Sequence, residues 1–302
     1  MRVSAIFDFL RTHPLTKNRK YTAFMRFVRW QIEYRVLQRK ERIIPWLNNG
    51  NHPMQTQLIL SPGRHSATAN YYVGLQEYED MALVLHALRQ GDIMLDIGAN
   101  IGAFTLLASS TGARVIAAEP SPDNTRYLEH HVAHNGIGAQ VTVKQIGIGA
   151  EKGMLPFIEG RDSVCRIAMD GEKADIEVPV ETLDDMAQGE QPTLIKIDVE
   201  GFEPAVIAGG QATLSGNSPM IVITEANGQC ERYGLADSVD ANLRKHGFVP
   251  CSYAPDTRTL AEVEGDAESV ADNAIYVRDI AFFKERVASA PKVRIHPVDI
   301  TL

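Results

Sequence analysis

The sequence predicts an α/β chain: a mostly parallel, Rossmann-like sheet with helices on both faces, preceded by a mainly helical N-terminal extension. Three observations carry this. From about residue 79 onward, short apolar runs alternate with helix-period segments, the pattern that builds βαβ units. One such run, Ile93 to Ile97, ends beside an acid and turns through two glycines into an apolar helix. The net charge of −8 over 302 residues is also unevenly divided. Residues 1–45 hold eleven Lys/Arg against three Asp/Glu (+8), and the remainder holds nineteen against thirty-five (−16). A basic arm on an acidic body implies two tasks.

In the arm, Val3, Ile6, Phe7 and Leu10 recur at helical spacing until Pro14 interrupts them. Ala23 to Leu37 sets Phe24, Phe27, Val28, Trp30, Ile32 and Val36 among Arg26, Arg29 and Arg35, and its length favours a helix over a strand. Such an element docks on a membrane surface or a partner such as a glycosyltransferase assembly, or packs on its own body with its arginines solvated. Residues 45–70 contain Pro45, Pro53, Pro62 and glycine breaks, and read as a linker or irregular β segment.

Next come a helix from Glu79 to Arg89, the strand Ile93 to Ile97 and a helix from about Ile101 to Ser109. A strand (Val115 to Ala118), a helix (Pro122 to His134) and a third strand (Val141 to Ile148) follow, then β pieces near 154–158 and 176–181. Leu194 to Ile197, Met220 to Thr224, Phe248 to Tyr253 and Ala274 to Val277 are further strands, with helices at Glu203 to Leu214 and Ser238 to Lys245. The expected division is arm and linker over 1–70, the main domain over 71–282 and a tail over 283–302.

At 44% hydrophobic and 23% charged residues, the composition is that of a soluble globular protein. No apolar run reaches the roughly 18 residues of a spanning helix, and Arg2 and Asp8 interrupt the N-terminal run too early for a secretory leader. Cys165, Cys230 and Cys251 show neither metal-ligand spacing nor a disulfide framework, so a cytoplasmic location is expected, with peripheral membrane contact through the arm. The acidic body lacks the basic stripe of a nucleic-acid enzyme, and no nucleic-acid partner is expected. His130, His131 and His134 carry no Glu within an i, i+4 pair and are expected on a partly solvated helix face. Cys251 is expected in the core.

The strongest signal is the turn LDIGANIGAFT, Leu95 to Thr105. Glycines permit a tight turn and close approach of a ligand to backbone. A dinucleotide fingerprint needs Gly-x-Gly-x-x-Gly; here Asn100 holds the middle position and Gly102 comes one place early. Asp96 at the strand end would repel phosphate. Glu119 ends the next strand, where an acid accepts both hydroxyls of a ribose. Two strand-end acids around a glycine turn, without a phosphate device, point to S-adenosylmethionine (SAM), whose ammonium and sulfonium are positive.

LDIGANIGAFT, AEP at Ala118–Pro120 and LIKIDVEGFE at Leu194–Glu203 together resemble the FkbM family of SAM-dependent methyltransferases. GLQE at Gly74–Glu77 and IVITE at Ile221–Glu225 also fit, and the resemblance covers roughly residues 70–250. It implies the seven-stranded class I methyltransferase sheet and methyl transfer, commonly to hydroxyl oxygens of sugars or other small metabolites. Glu77, Asp96, Gly98, Asn100, Gly102 and Glu119 are then the cofactor-site candidates. The family's acid after the third strand is absent, since Ala150 holds its position, and Glu151 is the candidate to replace it.

Methyl transfer to an alcohol needs alignment of oxygen, methyl carbon and sulfur, and a base for the hydroxyl proton. Asp198 and Glu200 are the candidates for base and substrate orientation, with Glu225 and Asn227 as acceptor contacts. Glu200 also suits a helix N-terminus through the dipole. Asp198, Glu200 and Glu225 could instead act as oxygen ligands for a divalent metal; Lys196, able to neutralise one of them, argues mildly against this, and no metal is expected. The alternative reading is a non-catalytic SAM-fold module docked through its arm. Arg161, Asp162, Arg166, Asn227, Arg232 and Tyr233 suit a polar, hydroxylated acceptor without selecting one.

Overall fold

The computed structural model describes residues 3–49, 55–160, 165–169, 171–225, 233, 239–265 and 273–302; Arg161, Asp162, Asn227, Cys230 and Arg232 lie outside the described residues. Helices α1 (Val3–Thr12) and α2 (Lys20–Arg35) form the arm, followed by β1 (Arg42–Asn49), β2 (Thr56–Leu60) and α3 (His65–Val73). α4 (Tyr78–Ala87) leads into β3 (Ile93–Ile97), α5 (Ala103–Ser110), β4 (Arg114–Ala118), α6 (Pro122–His134) and β5 (Val141–Lys144). β6 (Gly147–Gly149), β7 (Gly153–Ile158), β8 (Arg166–Ile167), β9 (Ile176–Thr182) and α7 (Leu183–Ala187) come next. β10 (Leu194–Ile197), α8 (Glu203–Ala208), α9 (Gln211–Leu214), β11 (Met220–Glu225) and α10 (Val239–Lys245) follow. β12 (Val249–Ala254), β13 (Thr259–Glu262), β14 (Asn273–Arg278), α11 (Ile280–Ala288), β15 (Val293–Ile295) and β16 (Ile300–Thr301) complete the chain.

The central sheet has the order β5-β4-β3-β10-β11-β14-β12-β13. β3, β4, β5, β10 and β11 are parallel, and β14 runs antiparallel between β11 and β12. The seven expected strands are all present, and β13 adds an eighth by pairing with β12 as an antiparallel edge. Two apolar clusters cover the sheet. Leu194, Met94, Val115, Ile221 and Val277 pack on one face, and Ile195, Leu95, Ile116, Val222 and Tyr276 on the other, as the period of two requires. Both faces are buried, which is why these strands read as continuous apolar runs.

Three expectations need correction. The stretch Val141 to Ile148 is two strands in two sheets: β5 pairs with β4, whereas β6 joins a separate sheet of order β6-β9-β7-β8. The helix expected over Glu203 to Leu214 is two short ones, broken at Gly209 and Gly210. A Cβ at Gly209 would come within 2.1 Å of the Gly149 carbonyl oxygen, so the backbone of β6 occupies the place a side chain would need. His131, expected to be partly solvated, is buried and its Nε2 accepts the Ile59 N–H of β2 at 3.0 Å. Burial lowers its pKa to about 4 and keeps it neutral, as an acceptor requires.

The expected linker and tail also fold together. β1 pairs with β2 and β15, and β15 with β16, in a four-stranded antiparallel sheet. A bulge in β1 between Pro45 and Leu47 turns Trp46 and Leu47 both inward, which hid the strand's alternation in the sequence. Trp46 is fully buried and its indole N–H donates to the Gly74 carbonyl at 2.7 Å. The arm packs on this assembly through Leu10, Ala23 and Trp30, with Arg26 donating to the Tyr72 carbonyl. These residues join the same apolar cluster as the central sheet, so the boundaries at 70 and 282 do not separate independent cores.

Candidate functional site

Register alone assembles the rim. Ile97 lies opposite Ala118 and Ile197, and Ile197 opposite Thr224. The next residues along those four parallel strands are Gly98, Glu119, Asp198 and Glu225, so all four reach the same carboxyl edge of the sheet. Ligands bind at that edge in open α/β folds, and the reversal of strand order between β3 and β10 opens the crevice there.

Gly98 (φ +77°) is the hinge of the crevice. Its N–H and that of Ala99 both donate to the Ala118 carbonyl, at 2.9 and 3.0 Å. A Cβ at Gly98 would stand 1.8 Å from the Asp198 carbonyl oxygen, so only glycine lets the β3 and β10 loops touch. Asn100 follows with a positive φ of 50°, uncommon for a side-chain-bearing residue. Its N–H donates to Glu119 Oε2 at 2.9 Å. Its amide oxygen is buried with no hydrogen-bond partner among the described residues.

Glu119 is itself buried, with Oε1 accepting the Ser121 N–H at 2.9 Å and Asn124 Nδ2 at 3.4 Å. Burial pushes its carboxyl up to about 7, against the opposing effect of those hydrogen bonds. Gly98, Asn100, Glu119 and Asn124 line one cavity with Ile146, Gly147, Ile148, Phe157, Cys165, Arg166, Ile167 and Phe202, and Asp198, Val199 and Glu200 line it too. The cavity therefore has a carboxylate end at Glu119, an apolar slot and a second acidic end at Asp198 and Glu200.

That second end is built on β10. Lys196 and Asp198 are two residues apart and share a face, and Lys196 Nζ donates to Asp198 Oδ2 at 2.6 Å. Asp96 is the register partner of Lys196 on β3, is buried, and accepts the Thr105 hydroxyl at 2.5 Å. The Lys196 ammonium lies 4.5 Å from the centre of the Phe104 ring. Burial opposes the charged form of this lysine, but Asp198, Glu77 and Asp96 outweigh it and hold its pKa above the ordinary value. Burial likewise raises the pKa of Asp96, with Lys196 opposing.

Glu200 takes a left-handed backbone (φ +57°) beside Gly201 (φ +103°). Strained non-glycine residues tend to cluster at functional sites, and Asn100 and Glu200 both border the cavity. Glu203 supports this turn from below: nearly fully buried, it accepts the N–H groups of Val199 at 3.0 Å and Gly201 at 3.2 Å. Glu225 is half-buried, and burial together with Asp198, Glu200 and Glu203 lifts its carboxyl to about 8. Glu77 precedes α4 without capping it through its side chain. It accepts Asn273 Nδ2 at 3.0 Å, and the same amide donates to Asp80 at 2.8 Å. Burial raises Glu77 to about 7 and Asp80 to about 6.

Of the residues picked from sequence, Gly98, Asn100, Glu119, Asp198 and Glu200 line the cavity. Asp96 and Glu77 lie off its wall, linked to it through Lys196, and Glu225, the expected acceptor contact, also lies off the wall, coupled to Asp198 and Glu200 at the rim. Gly102 (φ +92°) starts α5, where a Cβ would come within 2.4 Å of Leu128, so its place is to pack α5 on α6. Glu151 is exposed in the turn before β7 and is not on the wall; Gly147 and Ile148 of β6 occupy that stretch instead. Asn227 lies outside the described residues. Sequence reasoning missed Asn124, Phe157, Cys165 and Phe202 on the wall and Glu203 beneath it. The N-cap position of Ser121 on α6, whose hydroxyl accepts the Asn124 N–H, was the one signal in the sequence pointing to Asn124. No group of three or more potential metal-ligating side chains converges among the described residues.

SAM suits these residues. Glu119 retains acceptor positions for ribose hydroxyls, Ile146, Ile148, Phe157 and Phe202 bound a slot for a flat ring, and the unpartnered Asn100 oxygen suits an ammonium donor. Six strands of one direction, an antiparallel strand inserted between the fifth and sixth, and a cavity over the β3–β10 reversal define the class I methyltransferase fold. The methyltransferase FkbM domain pattern matches residues 96–250, a little over half of the 302, and the chain belongs to the FkbM family, which depends on SAM.

The chain is 25% identical over 136 residues to the hexuronic acid methyltransferase AglP of Haloferax volcanii, a span covering 44% of this chain and 56% of AglP. A tRNA (guanine(37)-N(1))-methyltransferase of Aedes aegypti is 34% identical over 59 residues, 20% of this chain and 10% of that protein. Among solved structures, methyltransferase FkbM from Methylobacillus flagellatus aligns with a TM-score of 0.41 at 19% identity, over 70% of this chain and 53% of that one. The chain thus spans a little over half the length of AglP and of the Methylobacillus protein.

Proposed function

We propose that this chain transfers a methyl group from SAM to a hydroxyl of a sugar, glycan or other small polar metabolite. The observation that carries the reading is Asp198, on the cavity wall at the end of β10, with one oxygen fixed by the buried Lys196 at 2.6 Å. SAM supplies an electrophilic methyl carbon on its sulfonium. Glu119 would hold the nucleoside end and the Asn100 oxygen the amino-acid end, with the apolar slot excluding water. The Lys196 ion pair sets the plane of the Asp198 carboxylate and balances its charge, which leaves Oδ1 to receive the acceptor's hydroxyl proton. Glu225, protonated to about pH 8, donates a hydrogen bond to an acceptor oxygen, and Glu200 on its strained turn orients the acceptor. The likeness to a hexuronic acid methyltransferase supports a saccharide acceptor.

The test is transfer of labelled methyl from SAM into fractionated saccharide and small-metabolite pools. Asp198→Asn keeps the shape and removes the base. It is expected to lower kcat about 10²–10⁴-fold while SAM affinity stays within a few-fold. Full kcat in that variant would place the base elsewhere. A wild-type chain that binds SAM and labels no pool would support the non-catalytic module.

A further inference from the structure

We infer that the outer face of α2 docks this protein on an anionic lipid bilayer. α2 has two apolar faces. Ala23 and Trp30 are buried against the body, and Phe27 packs on the same core. Tyr21, Met25, Val28 and Ile32 stand at i, i+4, i+7 and i+11 on the opposite side, and Val36 continues the line. Tyr21 is 73% exposed and Val36, just past the helix end, 70%. Among the described residues, eight of the nine large exposed hydrophobic side chains lie within residues 7–43; Met154 is the ninth. A concentrated apolar patch of this kind marks an interaction surface.

Charge selects the occupant. Residues 17–40 hold eight Lys/Arg and a single acid, Glu33. That acid is nearly buried and already shared by Arg29, Arg39 and Arg42. The ion pairs leave a net positive rim around the stripe, with Lys20 and Arg35 at its border and Lys40 beyond its end, all exposed. A stripe of aliphatic and aromatic side chains edged by cations fits acyl chains below anionic headgroups. The body carries −16, so an anionic bilayer disfavours approach by the body and favours the orientation that presents the arm. A protein partner would need an apolar groove edged by acids; a second copy of this chain offers the same cations and would be repelled.

The full chain should float with vesicles of mixed phosphatidylglycerol and phosphatidylcholine. Binding should be weaker by about tenfold or more with phosphatidylcholine alone, or with anionic vesicles at about 0.5 M salt. The surface variants Met25→Asp with Ile32→Asp, and separately Lys20→Glu with Arg35→Glu, should each lose about tenfold or more in binding with an unchanged thermal melt. Wild-type protein that stays unbound with anionic vesicles overturns the inference, as does flotation of both variants at the wild-type level. A lipid-free dimer in sedimentation velocity that Ile32→Asp dissolves would assign the face to a second copy and overturn it too.

Discussion

Affinity for the SAM product S-adenosylhomocysteine is expected to rise about tenfold between pH 6 and pH 8, and Glu119 is the reason. Each of its oxygens already accepts a backbone N–H, Oε1 from Ser121 and Oε2 from Asn100, both at 2.9 Å. A proton on this carboxyl takes one of the remaining acceptor positions, where a ribose hydroxyl would donate, and removes the charge that strengthens those bonds. Binding therefore favours the ionised form. With the free-protein pKa near 7, the ionised fraction is about one eleventh at pH 6 and about ten elevenths at pH 8. Ligand prefers the ionised state, so the bound pKa falls and affinity increases with pH through the free value.

Glu119→Gln keeps the size but sets an amide N–H₂ against one backbone donor and removes the charge. Losing charge-assisted hydrogen bonds of about 1.5–3 kcal/mol should weaken binding about ten- to a hundredfold at pH 8, and the pH dependence should flatten. Isothermal titration calorimetry of both proteins at the two pH values reads this directly. Wild-type affinity that is flat from pH 6 to 8, or a glutamine variant that binds like wild type, would refute the reasoning.

Lys196→Met removes the cation facing Asp96, Glu77 and Asp198 and should destabilise the fold by about 3–5 kcal/mol near pH 8. Carboxyls whose pKa is raised by folding cost stability above that value and nothing below their unfolded pKa. The deficit should therefore shrink toward about pH 4, as urea melts at the two pH values would reveal. Gly98→Ala places a Cβ 1.8 Å from a backbone oxygen at positive φ and should cost about 2–5 kcal/mol and abolish SAM binding. The control Gly91→Ala shares the positive φ but meets nothing within 4 Å, so it should cost only about 1–2 kcal/mol in the same thermal melts. Trp46→Ala should cost about 3–5 kcal/mol in one cooperative transition; a separate early transition would mean that the small terminal sheet folds on its own.

The catalytic-type sheet was legible because its elements are specified locally. β3, β4, β10 and β11 are apolar runs bounded by turns, and Ser121 and Pro122 start α6 within the chain's own neighbourhood. Gly98 and the strand-end acids Glu119 and Asp198 were legible for the same reason, since a strand ending in a turn fixes its own rim residue. The sequence could not say which strands meet across the chain. The pairing of β1 with β15 joins segments almost 250 positions apart, and the bulge at Trp46 erased the alternation that would have announced β1. Asn124, Phe157 and Phe202 reach the cavity from three separate elements, and nothing local distinguishes them from ordinary helix, strand and turn residues.

The amino-acid sequence by itself therefore determined the alternating sheet, the glycine hinge, the donor class and the split between a basic arm and an acidic body. Only the tertiary structure decided that Lys196 sits among three carboxyls, that Glu119 is buried far enough to titrate near neutrality, and that α2 keeps a second apolar face outside. Spacing along a chain records what a residue can do locally. Burial and charge coupling arise between segments that pattern alone cannot bring together.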